Sequence, residues 1–327
     1  MNNKKIKIGI LGGAGYTAGE LLRLLIHHPL AQIEWVHSKS HAEQPVSAVH
    51  HDLYGDSDLI FSAKITYQVN LIFLCTGHGQ SETILANYKL EQYPIKIIDL
   101  STDFRITSPN HAFIYGLPEL NKEKIKTAKK IANPGCFATA IELALLPLAR
   151  AQLLSNKEIH IQAITGSTGS GQQPKPSTHF SWRQNNVSTY KPFVHQHLAE
   201  IQQSLKQLEK GSNTTINFIP IRGAFSRGIF ASIYLDLDLT KDEINQLFES
   251  YYLSSPFVWI TERSPDLKQV VNTNKCLIYL QKHQGKLLII SIIDNLLKGA
   301  SGQAVQNMNL LFNFPESMGL QLKATAF

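Results

Sequence analysis

The sequence predicts an α/β protein in two parts: a doubly wound parallel domain, then an α+β domain with a largely antiparallel mixed sheet. Three observations carry this prediction. A glycine cluster, "GGAGYTAG", separates an alternating apolar strand from a helix with one apolar face at the start of the chain. Short apolar runs then alternate with helical segments up to about residue 135, the rhythm of a parallel sheet covered by helices. Beyond residue 156 the strands follow one another with few helices between them. The expected division is 1–135, joined by a C-terminal helix 299–327, and 136–298.

The elements follow in order. Ile6, Ile8 and Ile10 alternate along the first strand. "ELLRLLIHH" places Leu21, Leu24 and Leu25 on one helical face and stops before Pro29. "IEWVHS" reads as a second strand, and "NLIFLCTG", "IKIIDLS" and "KIANPG" as short strands buried on both faces. In the second half "IHIQAITGSTG", "TINFIPIRG" and "GIFASIYLDLDL" read as strands. "TKDEINQLFESYY" opens with Thr240 and Glu243 at capping-box spacing, which predicts a helix. "CLIYLQKHQGKLLIISII" predicts a hairpin turning at "HQGK". "GASGQAVQNMNLLF" is helical again, with Ala304, Met308 and Leu311 on one face.

Composition narrows the function. The chain has 327 residues, of which 43% are hydrophobic and 17% charged, so it can bury a sizeable core. A net charge of +6 is modestly basic, but the lysines are scattered and no basic run carries interleaved aromatics. That favours anionic small molecules over nucleic acid. Cys75, Cys136 and Cys276 show no CxxC spacing, which argues against a disulfide framework or zinc finger and fits a reducing compartment, the cytoplasm. Lys7 interrupts the apolar start and glycines stand where a signal-peptide cleavage site would be. No apolar run approaches the roughly 18 residues needed to cross a bilayer.

The glycine cluster is the first site of chemistry. Glycines at 9, 12, 13, 15 and 19 allow a tight turn and let a pyrophosphate approach the amides of a helix N-terminus. A plain glycine-rich loop is the alternative; the strand–turn–helix context favours the dinucleotide. Gly12, Gly13, Ala14, Gly15, Tyr16 and Thr17 are therefore candidate cofactor contacts, of Rossmann type. At the end of the second strand "HSKS" replaces the acid that usually meets an NAD ribose. Ser38, Lys39 and Ser40 suit a 2′-phosphate instead, which favours NADP(H); a solvated loop lysine competes for Lys39.

The second is "ANPGCFATAIELALL". Pro134 and Gly135 form a turn, and the helix beginning at Cys136 points its first amides at the thiol. The positive helix end favours a thiolate, a nucleophile suited to acyl transfer. The usual fate of a cysteine, a small buried hydrophobe, fits Cys276 and Cys75, although Cys75 is also a candidate cofactor contact. "HQH" offers His195 and His197 as proton carriers. They could equally be surface histidines among thirteen, and spacing alone does not choose. A zinc site is disfavoured because no further ligand has matching spacing, so no metal is expected. "TGSTGSGQQPKP" has amides and hydroxyls that could cradle an oxyanion, or it could be a flexible loop.

Taken in this order, the dinucleotide turn, Pro-Gly-Cys and HxH resemble the N-acetyl-γ-glutamyl-phosphate reductases of arginine biosynthesis, relatives of aspartate-semialdehyde dehydrogenase. The resemblance runs nearly end to end through "GGAGYTAGELLRLL", "DLSTDFR", "YGLPEL", "NPGCFATA", "FSRGIF" and "DNLLKGASGQAVQN". It implies Cys136 as nucleophile, His197 as acid–base and His195 beside it in the substrate pocket. It implies Ser167 and Gly169 of "GSTGSG" in a substrate and phosphate loop, with Arg105 and Arg227 as plausible anion anchors, a structural ion pair being the alternative for both. Asn295 would lie near the nicotinamide, and the last helix would return to the cofactor domain. A homodimer or homotetramer is typical of the family.

Departures touch the substrate side. Gln196 stands where the family often has arginine, and "IPIRGAF" places Arg222 where none is usual. An added arginine could pair with the extra carboxylate of an N-succinyl substrate. Alternatives of a different kind are a sibling reductase, acting on aspartyl phosphate or on a carrier-linked aminoadipyl or glutamyl phosphate, and a non-catalytic NADP-binding sensor. "YGLPE" and "DNLLKGA" argue against the aspartyl sibling; Cys136, His197 and the serine–glycine loop together argue against the sensor.

Overall fold

A computed structural model describes residues 5–325. The chain divides into two compact units. One comprises the described residues up to Pro134 with Ala300–Gln321; the other comprises Gly135–Gly299 and the short tail after Gln321.

The first unit is built on β1 (Ile6–Leu11), α1 (Tyr16–Leu25), β2 (Ala31–His37), β3 (Phe61–Ser62), β4 (Leu71–Leu74), α2 (Ser81–Asn87), β5 (Lys96–Asp99), β6 (Ile114–Tyr115), α3 (Pro118–Thr127) and β7 (Lys130–Ala132). Its seven-stranded sheet runs β3-β2-β1-β4-β5-β7-β6, every pair parallel. All four residues of β4 are buried, as a strand covered on both faces requires. The order reverses between β1 and β4, the switch point at which doubly wound sheets hold ligands.

The second unit contains α4 (Cys136–Arg150), β8 (Glu158–Thr165), α5 (Phe180–Arg183), β9 (Ser188–Thr189), α6 (His197–Leu208), β10 (Thr215–Arg222), β11 (Ile229–Asp236), α7 (Lys241–Tyr252), β12 (Val258–Thr261), β13 (Cys276–His283) and β14 (Lys286–Ile293). The sheet order is β12-β13-β14-β11-β8-β10-β9. The β8–β10 and β12–β13 pairs are parallel and the others antiparallel, so the sheet is mixed as the sequence predicts. The expected hairpin forms from β13 and β14, and Thr240 and Glu243 make a reciprocal capping box on α7.

Helix α4 is the centre of this unit. It packs against α6, α7, β11 and β14, and every residue from Phe137 to Ala149 is buried. A helix buried all round must satisfy its polar atoms internally. Ser204 Oγ donates to Glu142 Oε1 at 2.6 Å. Pro147 has no N–H for the Leu143 carbonyl one turn earlier; the Tyr252 hydroxyl of α7 donates to that carbonyl instead. These contacts fix the axis of α4, and with it the position of Cys136 at its first turn.

The chain re-enters the first unit through a π-helical turn, Leu297–Ser301, and α8 (Gly302–Leu311). The expected final helix over 299–327 is therefore shorter. It ends because Asn313 adopts left-handed φ (55°), Asn313 N–H donates to Leu310 O and Phe314 N–H to Asn309 O, and Pro315 follows. Residues 326–327 lie outside the described residues. Among the described residues no helix is long and apolar enough to cross a membrane.

Candidate active site

In the first unit, β1 runs into a turn whose Gly12 has φ of +80°. A β-carbon there would stand 2.6 Å from the Cys75 carbonyl oxygen, so only glycine fits. Gly13 N–H donates to His37 O at 2.8 Å, tying the turn to the end of β2. Gly15 is the N-cap of α1, has no side-chain capping bond, and faces open space. The first turn of α1 thus presents uncapped backbone N–H groups to an open side, as a pyrophosphate requires. Ala14 and Tyr16 lie in the same turn; the Thr17 hydroxyl bonds the Cys75 thiol, which burial pushes far up. Cys75 is a neutral neighbour of the turn, not a reactive thiol.

At the end of β2, Ser38 is buried while Lys39 and Ser40 are exposed, with Ser38 Oγ 3.4 Å from Ser40 Oγ. Burial lowers the pKa of His37 and the Lys39 charge adds to the effect. One cation and two hydroxyls therefore gather beside the glycine turn. The residues present fit an NADP-type dinucleotide.

In the second unit, Cys136 is half-buried and is the first residue of α4. Its N-cap, Gly135, makes no side-chain capping bond, so the helix end stabilises negative charge at the thiol. Gly135 N–H donates to Glu200 Oε2 at 2.8 Å, and Glu200 Oε1 lies 3.8 Å from His197 Nε2. One buried carboxylate thus touches both the residue preceding Cys136 and the ring of the expected acid–base. His195 and His197 pack 4.6 Å apart, and Phe137, next to Cys136, meets both rings edge-on.

The two histidines differ in chemistry. His197 N–H donates to His195 Nδ1 at 3.2 Å, so His195 accepts there. Burial pushes the His195 pKa down to about 4, with the Lys191 and Arg222 charges adding. His195 is therefore neutral near pH 7 and can donate only through Nε2–H. His197, beside a carboxylate, is the better placed of the two to carry a proton.

Arg222 ends β10 and is buried; its guanidinium stacks 4.7 Å from the Tyr190 ring and bonds Ser167 O at 3.3 Å and Ser170 Oγ. Burial pushes the Tyr190 hydroxyl up to about 12; Arg222 opposes this and the charge on Cys136 reinforces it. Arg222, Tyr190, His195 and Cys136 thus share one electrostatic neighbourhood. Arg183 Nη1 donates to the Arg222 carbonyl at 2.8 Å and holds that strand end in place.

The other expected residues have protein partners. Arg105 is buried, with Nε on Asn133 O at 2.9 Å and Nη2 on Leu100 O at 3.0 Å. Arg227 pairs with buried Asp294 at 3.2 Å. Ser167 and Gly169 lie in a 3-10 turn, Ser167–Ser170, whose amides are bonded internally: Ser167 N–H to Phe225 O, Thr168 N–H to Ser226 O, Gly169 N–H to Gly166 O. The loop offers hydroxyls and the Arg222 guanidinium, and the amides of Ser167, Thr168 and Gly169 are already bonded. Asn295 accepts from Gly228 N–H at 2.7 Å and donates to Thr168 Oγ1 at 3.1 Å, so it braces this loop. Among the described residues no group of three or more His, Cys, Asp or Glu side chains gathers to hold a metal.

Comparison with known proteins fits this geometry. Residues 7–128 match the family described as "Semialdehyde dehydrogenase, NAD binding domain", and residues 136–295 match "Semialdehyde dehydrogenase, dimerisation domain". A protein of Parabacteroides distasonis named N-acetyl-gamma-glutamyl-phosphate reductase is 57% identical, covering 98% of this chain and 100% of its own. One of the same name from Bacteroides fragilis is 55% identical with the same coverage. The chain belongs to the N-acetyl-gamma-glutamyl-phosphate reductase family. The fold is shared more widely. Aspartate semialdehyde dehydrogenase II of Vibrio cholerae, solved with ASA, superposes with a TM-score of 0.75 at 15% identity, over 95% of this chain and 99% of that one. The enzyme of Candida albicans, solved with NADP, gives 0.70 at 14% identity, over 94% and 99%.

Within this reductase fold the sequence reading passed over Glu200, Tyr190 and Arg183. Glu200 alone had a visible signal, its spacing of three residues from His197 on one helix face.

Proposed function

We propose that this chain catalyses the NADPH-dependent reductive dephosphorylation of an N-acyl-γ-glutamyl phosphate to the 5-semialdehyde, in arginine biosynthesis. The observation that carries this is Cys136 at an uncapped helix end, joined through Gly135 and Glu200 to His197. Cys136 Sγ attacks the γ-acyl carbon; the C–S bond forms, the C–O bond to phosphate breaks, and a thioester remains. His197 donates the one proton consumed, to the departing phosphate. His195 Nε2–H and Arg222 bind the anionic groups of the substrate. Gly12, Gly13, Ala14, Gly15, Tyr16 and Thr17 hold the dinucleotide pyrophosphate, and Ser38, Lys39 and Ser40 its 2′-phosphate. When bound, NADPH supplies the hydride that reduces the acyl carbon. Breaking the C–S bond then frees the aldehyde and returns the thiolate to the helix end.

The test is the reverse reaction: reduction of NADP by N-acetylglutamate semialdehyde, with and without phosphate. Phosphate-dependent turnover supports the reading. Turnover without phosphate would indicate simple aldehyde oxidation and remove acyl phosphate as the substrate.

Glu200→Gln keeps the shape of the side chain but removes its charge from His197. It is expected to lower kcat about a hundredfold, the scale of a ~1 Å misplacement of catalytic groups, with little change in KM. A variant with wild-type kcat would remove Glu200 from the site.

Arg222 favours a second reading of the acyl group. Buried on Tyr190 beside the Ser167–Ser170 loop, it suits a second carboxylate, as in an N-succinyl substrate. If so, Arg222→Ala loses kcat/KM for N-succinylglutamate semialdehyde by about 10- to 100-fold more than for the N-acetyl compound, the range for losing a charged hydrogen bond. Equal losses on both substrates would leave Arg222 as a general anion anchor.

The chain is read as a cytoplasmic homodimer or homotetramer. One face of the second sheet supports association with a second copy: Phe230, Leu277, Tyr279 and Leu288 remain partly exposed there, and Trp259 on its edge strand is 56% exposed.

A further inference from the structure

His50 belongs to none of the chemistry above. It lies between two short helical turns of the first unit, Val46–Ala48 and His51–Leu53, and is buried. Its Nε2 is 2.8 Å from the carbonyl oxygen of Gly13. A carbonyl can only accept, so Nε2 is the donor in this bond. The ring also fills the space beside Gly19: a β-carbon there would stand 2.6 Å from His50 Nδ1 and 2.9 Å from Cε1. Phe61 packs on the ring with centroids 6.2 Å apart.

The consequence follows from peptide geometry. The Gly13–Ala14 peptide is planar and trans, as every described peptide is, so its C=O and N–H point in opposite directions. The carbonyl is drawn inward onto a buried ring. Ala14 N–H is thereby aimed outward, to the side where Gly15 and the uncapped end of α1 are open. Gly13 N–H is fixed independently by His37 O. His50 thus holds a peptide of the turn for which β2 supplies no bond.

We infer that His50 is a positioning residue for the dinucleotide: it sets the Gly13–Ala14 peptide so that Ala14 N–H meets the pyrophosphate. The inference rests on the cofactor reading of the first unit. Gly19 is part of the same device, since only a residue without a β-carbon admits the ring.

The experiment is a titration of NADPH into the full-length protein, followed by nicotinamide fluorescence, with thermal melts run in parallel. His50→Ala is expected to raise Kd about tenfold, as loss of one buried hydrogen bond would. His50→Gln, whose amide N–H can reach the same carbonyl, recovers most of the affinity. Gly19→Ala, which leaves His50 in place but displaces its ring, raises Kd in the same direction. The alkylation rate of Cys136 by iodoacetamide stays at the wild-type value in all three. A lower melting temperature with wild-type Kd in His50→Ala and Gly19→Ala would reduce His50 to a packing residue and overturn the inference. Should His50→Ala not fold, Gly19→Ala and His50→Gln still decide. Wild-type protein that fails to bind NADPH overturns the cofactor reading, and the inference with it.

Discussion

Cys136→Ser is expected to abolish reductase turnover while leaving NADPH binding intact. The substitution changes one atom, yet removes the thiol on which the thioester would form. A thiol at a helix N-terminus can exist as thiolate near neutral pH, whereas a serine hydroxyl cannot without a strong base. His195 is no such base toward serine: burial and the charges of Lys191 and Arg222 hold its pKa at about 4. Loss of a nucleophile that works as part of a unit typically costs about 10³- to 10⁶-fold in kcat. The measurement is NADPH oxidation with the acyl phosphate, alongside mass spectrometry of protein mixed with substrate alone. Wild type should carry an acyl adduct on Cys136 and the variant none. Retention of turnover within tenfold in Cys136→Ser would mean that hydride reaches the acyl phosphate directly and that no thioester is formed. The NADPH Kd is a control for folding, because the glycine turn belongs to the other compact unit.

The two sites were legible in the sequence to different depths. The glycine turn could be read because its demands fall on residue type: Gly12 has positive φ and no room for a β-carbon beside the Cys75 carbonyl, and only glycine meets both. Cys136 could be read because Pro-Gly before an apolar helical run fixes where that helix begins. What escaped was every role set by a distant partner. Glu200 is 65 residues from Gly135, and nothing local says that its carboxylate meets that amide. "GSTGSG" has the composition of an amide cradle, but the amides of Ser167 and Thr168 are bonded to the turn at 225–226. Arg105 and Arg227 have the right chemistry for an anion, yet a guanidinium serves a backbone carbonyl or an aspartate equally well, and these two do. Arg222, singled out only as a departure from a motif, is the arginine that the fold places near Cys136, through Tyr190. The end of the last helix was also local information: Asn313 and Pro315 are termination signals, and the expectation of a helix to 327 passed over them.

Gly299→Ala is expected to lower kcat about a hundredfold, although residue 299 carries no chemistry. Gly299 lies in the π-helical turn Leu297–Ser301, where its N–H donates to Asp294 O five residues back. A β-carbon at 299 would stand 2.8 Å from Cys136 Cβ, 3.2 Å from Cys136 Cα and 3.3 Å from Asp294 O. None of these atoms is the far end of a flexible side chain, so no rotamer relieves the overlap. Something in the backbone has to move. Helix α4 resists, because it is buried along its length and tied by Ser204 to Glu142 and by Tyr252 to the Leu143 carbonyl. The strain therefore falls on the first turn of α4 or on the π-turn, and either one displaces the thiol from Glu200, His197 and Arg222. A displacement of ~1 Å at reacting groups lowers kcat by about 100-fold, and overpacking of this kind destabilises by about 1–3 kcal/mol. Steady-state kinetics with a parallel melt will separate the two effects, since the protein should remain folded at assay temperature while kcat falls. Wild-type kcat in Gly299→Ala would show that the π-turn yields freely, and that the close approach of its backbone to Cys136 does not hold the nucleophile in place.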